Sequence, residues 1–301
     1  MNIKQIIKNT SIFSGILLVL LLTWGLTEPY FINIEEEKAL IPNLPDTWDG
    51  ERVAVVGDFQ IGMWLDNTNT VERVVKRLVQ IKPKAVLLLG DFVYHPIDNQ
   101  ENEISEIKEI LKPLVNSKIP LYTVLGNHDF AMDKESEVPN EKYAFQLSKE
   151  LNKMGIDVLN NDFSVLSSVT EKTKKPLYLV GIGPTWPNSA EPTKVFKGIS
   201  KSAARIVMMH NPETYTNLKS NTAPLAIAGH THGSQVRIPL LSKWFYNTFL
   251  NEEKVHFTGW IDDLGKSGNN LYVNPGIGFS NFPIRINCPP EITIFNLRKK
   301  T

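Results

Sequence analysis

Again and again along this chain, an unbroken apolar run of strand length halts on a residue able to bind a cation. RVAVVGD stops at Asp58, KAVLLLGD at Asp91, and PLYTVLGNHD at Asn127, His128 and Asp129. ARIVMMH stops at His210, PLAIAGHTH at His230 and His232, and LYVNPG at Asn274. A strand wet on one face alternates apolar and polar residues, whereas a continuous apolar run suits a strand covered on both faces. The early runs alternate with helical patterns. NTVERVVKRLVQIKP sets Val71, Val74, Val75, Leu78 and Val79 on one face before Pro83, and ISEIKEILKPLV does the same with Ile104, Ile107, Ile110, Leu111 and Leu114. YAFQLSKELNKMG repeats the pattern and closes on Gly155, a C-cap. The second half is richer in strands. These patterns predict one α/β domain over residues 51–297.

The first 27 residues have a different character. Lys4 and Lys8 precede ILLVLLLTWGL. Counted from Ile12, the apolar stretch is about 15 residues, short of the roughly 20 that a spanning helix uses. That length suits a signal-peptide core or a short signal anchor. No small-x-small cleavage site follows, so an uncleaved anchor is expected, with cleavage near residue 27 as the rival. Lysines before the segment and Glu35, Glu36 and Glu37 after it place the N-terminus in the cytoplasm. The expectation is a single-pass cell-membrane protein with its domain on the extracytoplasmic side. Residues 28–50 hold Pro29, Pro42 and Pro45 around the acidic cluster and read as a linker. Lys+Arg and Asp+Glu balance at 32 each, so the chain has no bulk electrostatic grip on nucleic acid, and none is expected as a partner. One cysteine, Cys288, excludes an intrachain disulfide and a Cys-rich zinc site.

In open α/β sheets, ligands bind beyond the carboxyl ends of the strands. The Asp, Asn and His stops therefore converge on one crevice, and their atoms suit a pair of divalent metals. Taken singly, each has a structural alternative: Asp58 and Asp91 as turn formers or caps, Asn127 as a turn residue, His210 as a packed histidine. Together they resemble the calcineurin-like metallophosphoesterases. The blocks Asp58-x-Gln60, Gly90-Asp91, Gly126-Asn127-His128-Asp129, His210 and Gly229-His230-Thr231-His232 stand in that family's order. LYVNPGIGFSNFPIRINCPPEITIFNL and GHTHGSQVRIPL are similar to its membrane-associated members.

The resemblance implies a four-layer metallophosphoesterase fold, with two packed mixed β-sheets flanked by helices. It implies a phosphoester hydrolase of phosphodiesterase or phosphatase type, with two divalent metal ions drawn from Mn, Fe, Zn or Mg. Residue by residue, Asp91 would bridge the metals. Asp58 and His232 would bind the first, and Asn127, His210 and His230 the second. His128 would face the phosphate, and Asp129 would orient His128.

Gln60 departs from the family pattern, which has histidine there. Its side-chain oxygen would bind metal directly, bind through water, or fail to bind. The last outcome would leave a catalytically weak interaction module on the same fold. A looser first metal site is the expectation. Trp244, Phe245, Tyr246, Phe249 and Leu250 form either an apolar lip that admits a lipid phosphate or the filling beneath a loop. Arg237 and Arg285 are either phosphate contacts or solvated charges. His95 and His256 are read as structural, and Asn161 as a loop turn. The expected substrate is a phosphorylated small molecule or lipid, with monoester, diester and pyrophosphate all open.

Overall fold

The computed structural model describes residues 3–63, 67–94, 100–166, 176–237, 257–280 and 282–300. The chain enters through α1 (Ile3–Thr27) and β1 (Asn33–Ile41), then runs β2 (Arg52–Val56), α2 (Thr68–Ile81), β3 (Ala85–Leu88), α3 (Gln100–Asn116), β4 (Leu121–Thr123), α4 (Glu141–Met154) and β5 (Ile156–Val158). It continues through β6 (Asp162–Leu166), β7 (Leu177–Ile182), β8 (Ala204–Met209), β9 (Ala226–Ala228), β10 (Gly259–Ile261), β11 (Leu271–Val273) and β12 (Glu291–Lys299). One six-stranded sheet has the order β1-β12-β2-β3-β4-β5, and the other β10-β11-β9-β8-β7-β6. Both are mixed. The neighbours β2, β3, β4 and β5 are parallel, as are β7, β8, β9 and β11, while β12 against β2, β10 against β11 and β6 against β7 are antiparallel.

The continuous apolar runs are explained by what covers each face. On β2, Val53 and Val55 enter the core between the two sheets, while Ala54 and Val56 point to the core beneath the helices. On β8, Ile206 and Met208 face the other sheet, while Val207 and Met209 face an outer core with Tyr215 and Leu218. Both members of each alternating pair are therefore apolar. Helices α2, α3 and α4 cover the first sheet with the expected stripes, among them Val71, Val75, Ile107, Leu111, Tyr143 and Leu147. The second sheet is covered by the short turns Pro192–Val195 and Pro212–Asn217. Gly155 caps α4 at φ +90°, whereas α2 ends on Ile81 and is capped by Lys82, in the left-handed region immediately before Pro83.

Within residues 28–50, expected as a linker, Asn33–Ile41 forms a strand of the first sheet. Strand β1 pairs in parallel with β12 from Asn33↔Glu291 to Ile41↔Lys299. Ala39, Ile41, Leu44 and Trp48 are buried in the core between the sheets, and Trp48 Nε1 donates to Leu166 O at 2.9 Å. The acidic cluster is the outer part of an edge strand, where charge discourages pairing with another chain. Glu37 within it accepts from Trp260 Nε1 at 2.8 Å.

Helix α1 is longer than its apolar stretch. Its 25 residues rise about 37 Å at ~1.5 Å each, enough to cross a ~30 Å hydrocarbon layer. Among the described residues it is the one helix long and apolar enough to do so. Its last turn is seated on the domain: Gly25 is buried against Ile284 and Ile286, and its carbonyl accepts from Arg285 N at 3.0 Å. Glu28 follows, buried, its carboxylate accepting from the amides of Asn287 and Cys288.

Candidate metal centre

The parallel strands of the two sheets deliver their carboxyl ends to a common edge. There Asp58 follows β2, Asp91 follows β3, Asn127 follows β4, His210 follows β8, and His230 and His232 follow β9. The turns are unusual. Asp58, Gln60, Asp91, His230 and His232 all have left-handed φ, at 53°, 51°, 54°, 71° and 49°. Non-glycine residues rarely adopt this region, and such strain gathers where surrounding structure imposes it. Here the imposition is visible: Asp58 N donates to Gly90 O at 3.0 Å and Gln60 N to Asp91 O at 2.9 Å. Gly126 is required for packing, since a Cβ there would lie 2.1 Å from Asp91 Oδ1. Gly276, in the last apolar-run block, leaves room for Asp58 in the same way: at φ +69°, its Cβ would fall 2.5 Å from Asp58 Oδ2.

Two donor groups result, and they share Asp91. Ligand atoms of Asp91, His210 and His230 lie within 4.8 Å of one another, as do those of Asp58, Asp91 and His232. In the first group, His210 Nδ1 faces Leu89 O at 2.7 Å, which turns Nε2 inward. That Nε2 lies 3.1 Å from Asn127 Oδ1, 3.2 Å from His230 Nδ1 and 3.2 Å from Asp91 Oδ2. Asn127 Nδ2 donates to Met132 O at 2.7 Å, so its amide oxygen is the atom presented to this group. In the second group, Asp58 Oδ1 accepts from His230 N at 2.9 Å. Gln60 Nε2 donates to Asp91 Oδ2 at 2.9 Å.

The unpartnered atoms test whether metal fits. Among the described residues, Asp58 Oδ2, Gln60 Oε1 and His232 Nδ1 are buried without a hydrogen-bond partner. A buried polar atom left unpaired costs about 1–3 kcal/mol. Three such acceptors on neighbouring residues, with the Asp91 carboxylate among them, form a donor set suited to a divalent cation. The residues present fit the metal pair that the family resemblance implies.

The electrostatics follow from burial and proximity. Burial pushes the Asp58 carboxyl up to about 6. Burial also opposes ionisation of Asp91, but the charges of His210 and His128 overcome it and hold this carboxyl well below the usual range. His210 is the counterpart: burial disfavours its charge, Asp91 restores it, and the imidazole is pushed up to about 9. Burial and the His210 charge drive His230 down to about 3. A ligating imidazole is neutral, so metal uptake here releases a proton and depends on pH.

The remaining candidates separate by position. His128 is partly buried, its Nδ1 lying 2.6 Å from Tyr94 O and 3.2 Å from Asp133 Oδ1, with the Tyr94 ring stacked on it at 5.8 Å. Asp129 does not orient His128. Its Oδ2 accepts from Asp91 N at 2.8 Å and Gly126 N at 2.9 Å, and its Oδ1 from Phe92 N at 2.8 Å. It clamps the backbone that carries Asp91. Arg285 is neither a phosphate contact nor a solvated charge: it is fully buried and donates to Gly278 O, Pro275 O and Cys288 O. Arg237 is likewise engaged, with Gly233 O at 2.7 Å and Cys288 Sγ at 3.0 Å. Asn274 turns the chain after β11 by accepting from Gly276 N, and Asn161 organises a loop through Gly183 N and Glu191 N. His95, His256 and the aromatic stretch Trp244 to Leu250 lie outside the described residues. Tyr94, Asp133 and Trp186, whose ring meets His230 edge-on at 5.1 Å, are the neighbours that sequence reasoning missed. Tyr94 and Asp133 each stand a few residues beyond a ligand block, a spacing that would have flagged them.

The sequence model of the calcineurin-like phosphoesterase family matches residues 51–234. Phosphodiesterase YaeI of Escherichia coli is 28% identical over 219 residues, covering 73% of this chain and 72% of that protein. UDP-2,3-diacylglucosamine pyrophosphatase LpxG of Chlamydia muridarum is 22% identical over 328 aligned positions, covering 96% of this chain and 97% of that protein. A transmembrane protein with metallophosphoesterase domain from Danio rerio is 24% identical over 271 residues, covering 86% of this chain and 56% of that protein.

Proposed function

The chain belongs to the calcineurin-like phosphoesterase family, and on that premise we propose a membrane-held, two-metal phosphoester hydrolase that acts on a lipid-linked or cell-envelope phosphate. The observation that carries this reading is the pair of donor groups meeting at Asp91, with lone pairs of Asp58, Gln60 and His232 unused beside it. Asp91, common to both groups, would serve both metals, with Asp58, Gln60 and His232 as the further residues that would hold one and Asn127, His210 and His230 those that would hold the other. Bound there, divalent cations supply Lewis-acid polarisation of a phosphoryl oxygen and a more acidic water. Gln60 serves twice in this scheme, its Nε2 fixing Asp91 and its Oε1 acting as a neutral ligand in place of an imidazole.

The chain's own groups manage the proton and the geometry. Burial works against a charge on His128, but Asp91 and Asp133 outweigh it and raise its pKa. With Nδ1 occupied by Tyr94 O and Asp133, His128 offers Nε2 to the phosphate and donates a proton to the departing oxygen. Asp129 is a positioning residue, keeping the Asp91 turn fixed through three amides. The activities for which YaeI and LpxG are named support a phosphodiester or pyrophosphate bond, and the LpxG substrate supports an acylated one. Lys4 and Lys8 before the apolar stretch and Glu35 to Glu37 beyond it support an extracytoplasmic domain.

The test uses full-length protein in detergent. Hydrolysis of an aryl phosphodiester is measured across Mn, Mg, Zn, Fe and Co, with metal content determined in parallel. Metal-dependent turnover with two metals per chain is expected, and Asp91→Asn should lower turnover by about 10³-fold while reducing metal content. A chain that takes up no metal under any of these conditions would overturn the reading.

A further inference from the structure

Where α1 ends, the described surface holds a groove of about 480 Å³ that the metal chemistry does not use. Tyr30 and Phe31 form one wall, and Arg73, Lys76, Arg77 and Gln80 of α2 form the other. The helix spacing explains the basic wall. Residues 73, 76, 77 and 80 share the face of α2 opposite Val71, Val74, Val75 and Leu78, which are packed in the core. Tyr30 and Phe31 are largely exposed, at 55% and 68%, although both are large aromatic residues. They come directly after the helix that is long and apolar enough to cross a bilayer. Aromatic residues in that place belong to the headgroup layer.

The charges in the groove are poorly compensated. Arg73 Nη1 donates to Tyr30 O at 2.8 Å, which ties the two walls together, and Arg77 Nη1 donates to the neutral Gln80 Oε1 at 3.3 Å. Among the described residues neither arginine is paired with an acid. Lys76 has Glu72 at 3.6 Å, with the two side chains 65% and 45% exposed, a surface pair worth little. The groove is thus cationic, open, joined by a hydrogen bond to the end of α1, and flanked by aromatic residues that seat themselves at an interface.

We propose that this groove binds the phosphate of an anionic phospholipid in the leaflet nearest the domain. The occupant follows from charge complementarity and from continuity with α1, which brings headgroups to Tyr30 and Phe31. The site is separate from the metal centre, and the proposal rests only on the part of the functional reading that puts α1 in a bilayer. Lipid bound there fixes how the domain stands over the membrane.

Native mass spectrometry of the full-length protein in detergent, titrated with phosphatidylglycerol or phosphatidylcholine, tests this directly. The informative variant is Lys76→Gln with Arg77→Gln, because both side chains lie on the outer face of α2 while Arg73 has a structural bond to Tyr30. Each basic residue at an anionic surface contributes roughly fivefold, so the double variant should lose about 25-fold in phosphatidylglycerol affinity at low salt. Added salt should weaken wild-type binding. Hydrolysis of a soluble aryl phosphodiester should be the same in both proteins. Equal retention of the two lipids, or an unchanged preference in the double variant, would overturn the proposal. Failure of the full chain to float with phosphatidylcholine vesicles would overturn it separately, by removing α1 from the bilayer.

Discussion

Arg285 and the corner formed by Asp58, Gln60 and His232 are both withdrawn from solvent, yet their hydrogen bonding differs atom by atom. Arg285 spends every arm of its guanidinium on backbone: Nε on Gly278 O at 3.0 Å, Nη1 on Cys288 O at 3.0 Å, and Nη2 on Pro275 O and Gly278 O at 3.0 and 2.6 Å. The corner leaves Asp58 Oδ2, Gln60 Oε1 and His232 Nδ1 with no partner among the described residues. A buried ionic group with complete partners is framework, because nothing is left to bind a ligand. A buried group with spare lone pairs is a site in waiting, because folding has already met the desolvation cost. The two also act on each other. Arg285 adds its charge to burial in driving His232 below its ordinary value, which keeps this imidazole neutral.

Removing the framework group should have the larger effect on stability. Arg285→Met strips three carbonyls of their donor and leaves them buried, a loss of about 3–4 kcal/mol. For a domain of this size that lowers Tm by roughly 10 °C. Thermal unfolding in the presence of chelator measures it. A drop of under about 2 °C would mean that the Arg285 bonds are dispensable and would blur the contrast with the site.

Asp129 stands between the two types, fully partnered like Arg285 yet in contact with the Asp91 turn. Asp129→Asn keeps the shape but turns an amide N–H toward at least one backbone N–H. Metal affinity should fall by about 10–100-fold, as when a residue supporting a ligand is lost. Isothermal titration with Mn would show it. Unchanged affinity would mark Asp129 as framework alone.

The sequence displayed these elements unequally, and physics says why. Strands β2, β3, β8 and β9 were legible because burial on both faces forces apolar continuity, and their polar stops were legible because ligands gather at carboxyl ends. Strand β1 was hidden because an edge strand with acids on its outer face and prolines around it has the composition of a linker. Arg285 was hidden because a lone arginine in a loop looks the same whether its partners are water or carbonyls. The partners of Asp129 are up to 38 residues away, and no local pattern announces which amides a carboxylate will meet.

Gln60 sharpens the contrast within the site itself. Its amide is half framework, through the 2.9 Å bond to Asp91 Oδ2, and half spare, through Oε1. Gln60→His exchanges a neutral oxygen for an imidazole nitrogen, which favours Zn over Mg and Mn. Zinc affinity at one of two sites should rise by about tenfold in competition with a chelating dye. No change at either site would place Gln60 outside the ligand set and leave it with the framework role alone.

The smallest effect belongs to a charge cluster that is neither buried nor spare. Glu150 accepts from Lys108 Nζ at 2.8 Å and Lys153 Nζ at 2.6 Å, joining α3 to α4. These two hydrogen bonds lower its carboxyl from the ordinary 4.5 to about 2. The folded state therefore binds this proton less readily than the unfolded chain. Its contribution is fully present above about pH 4.5 and drains away as pH falls toward 2. Solvent screens the group, so Glu150→Gln should change Tm by no more than a degree or two at pH 7, and the difference from wild type should close on acidification below 4.5. Comparing the two proteins between pH 3 and 7 by scanning calorimetry checks this. A gap that persists undiminished to pH 3 would assign the stabilisation to packing of the Glu150 side chain rather than to its charge.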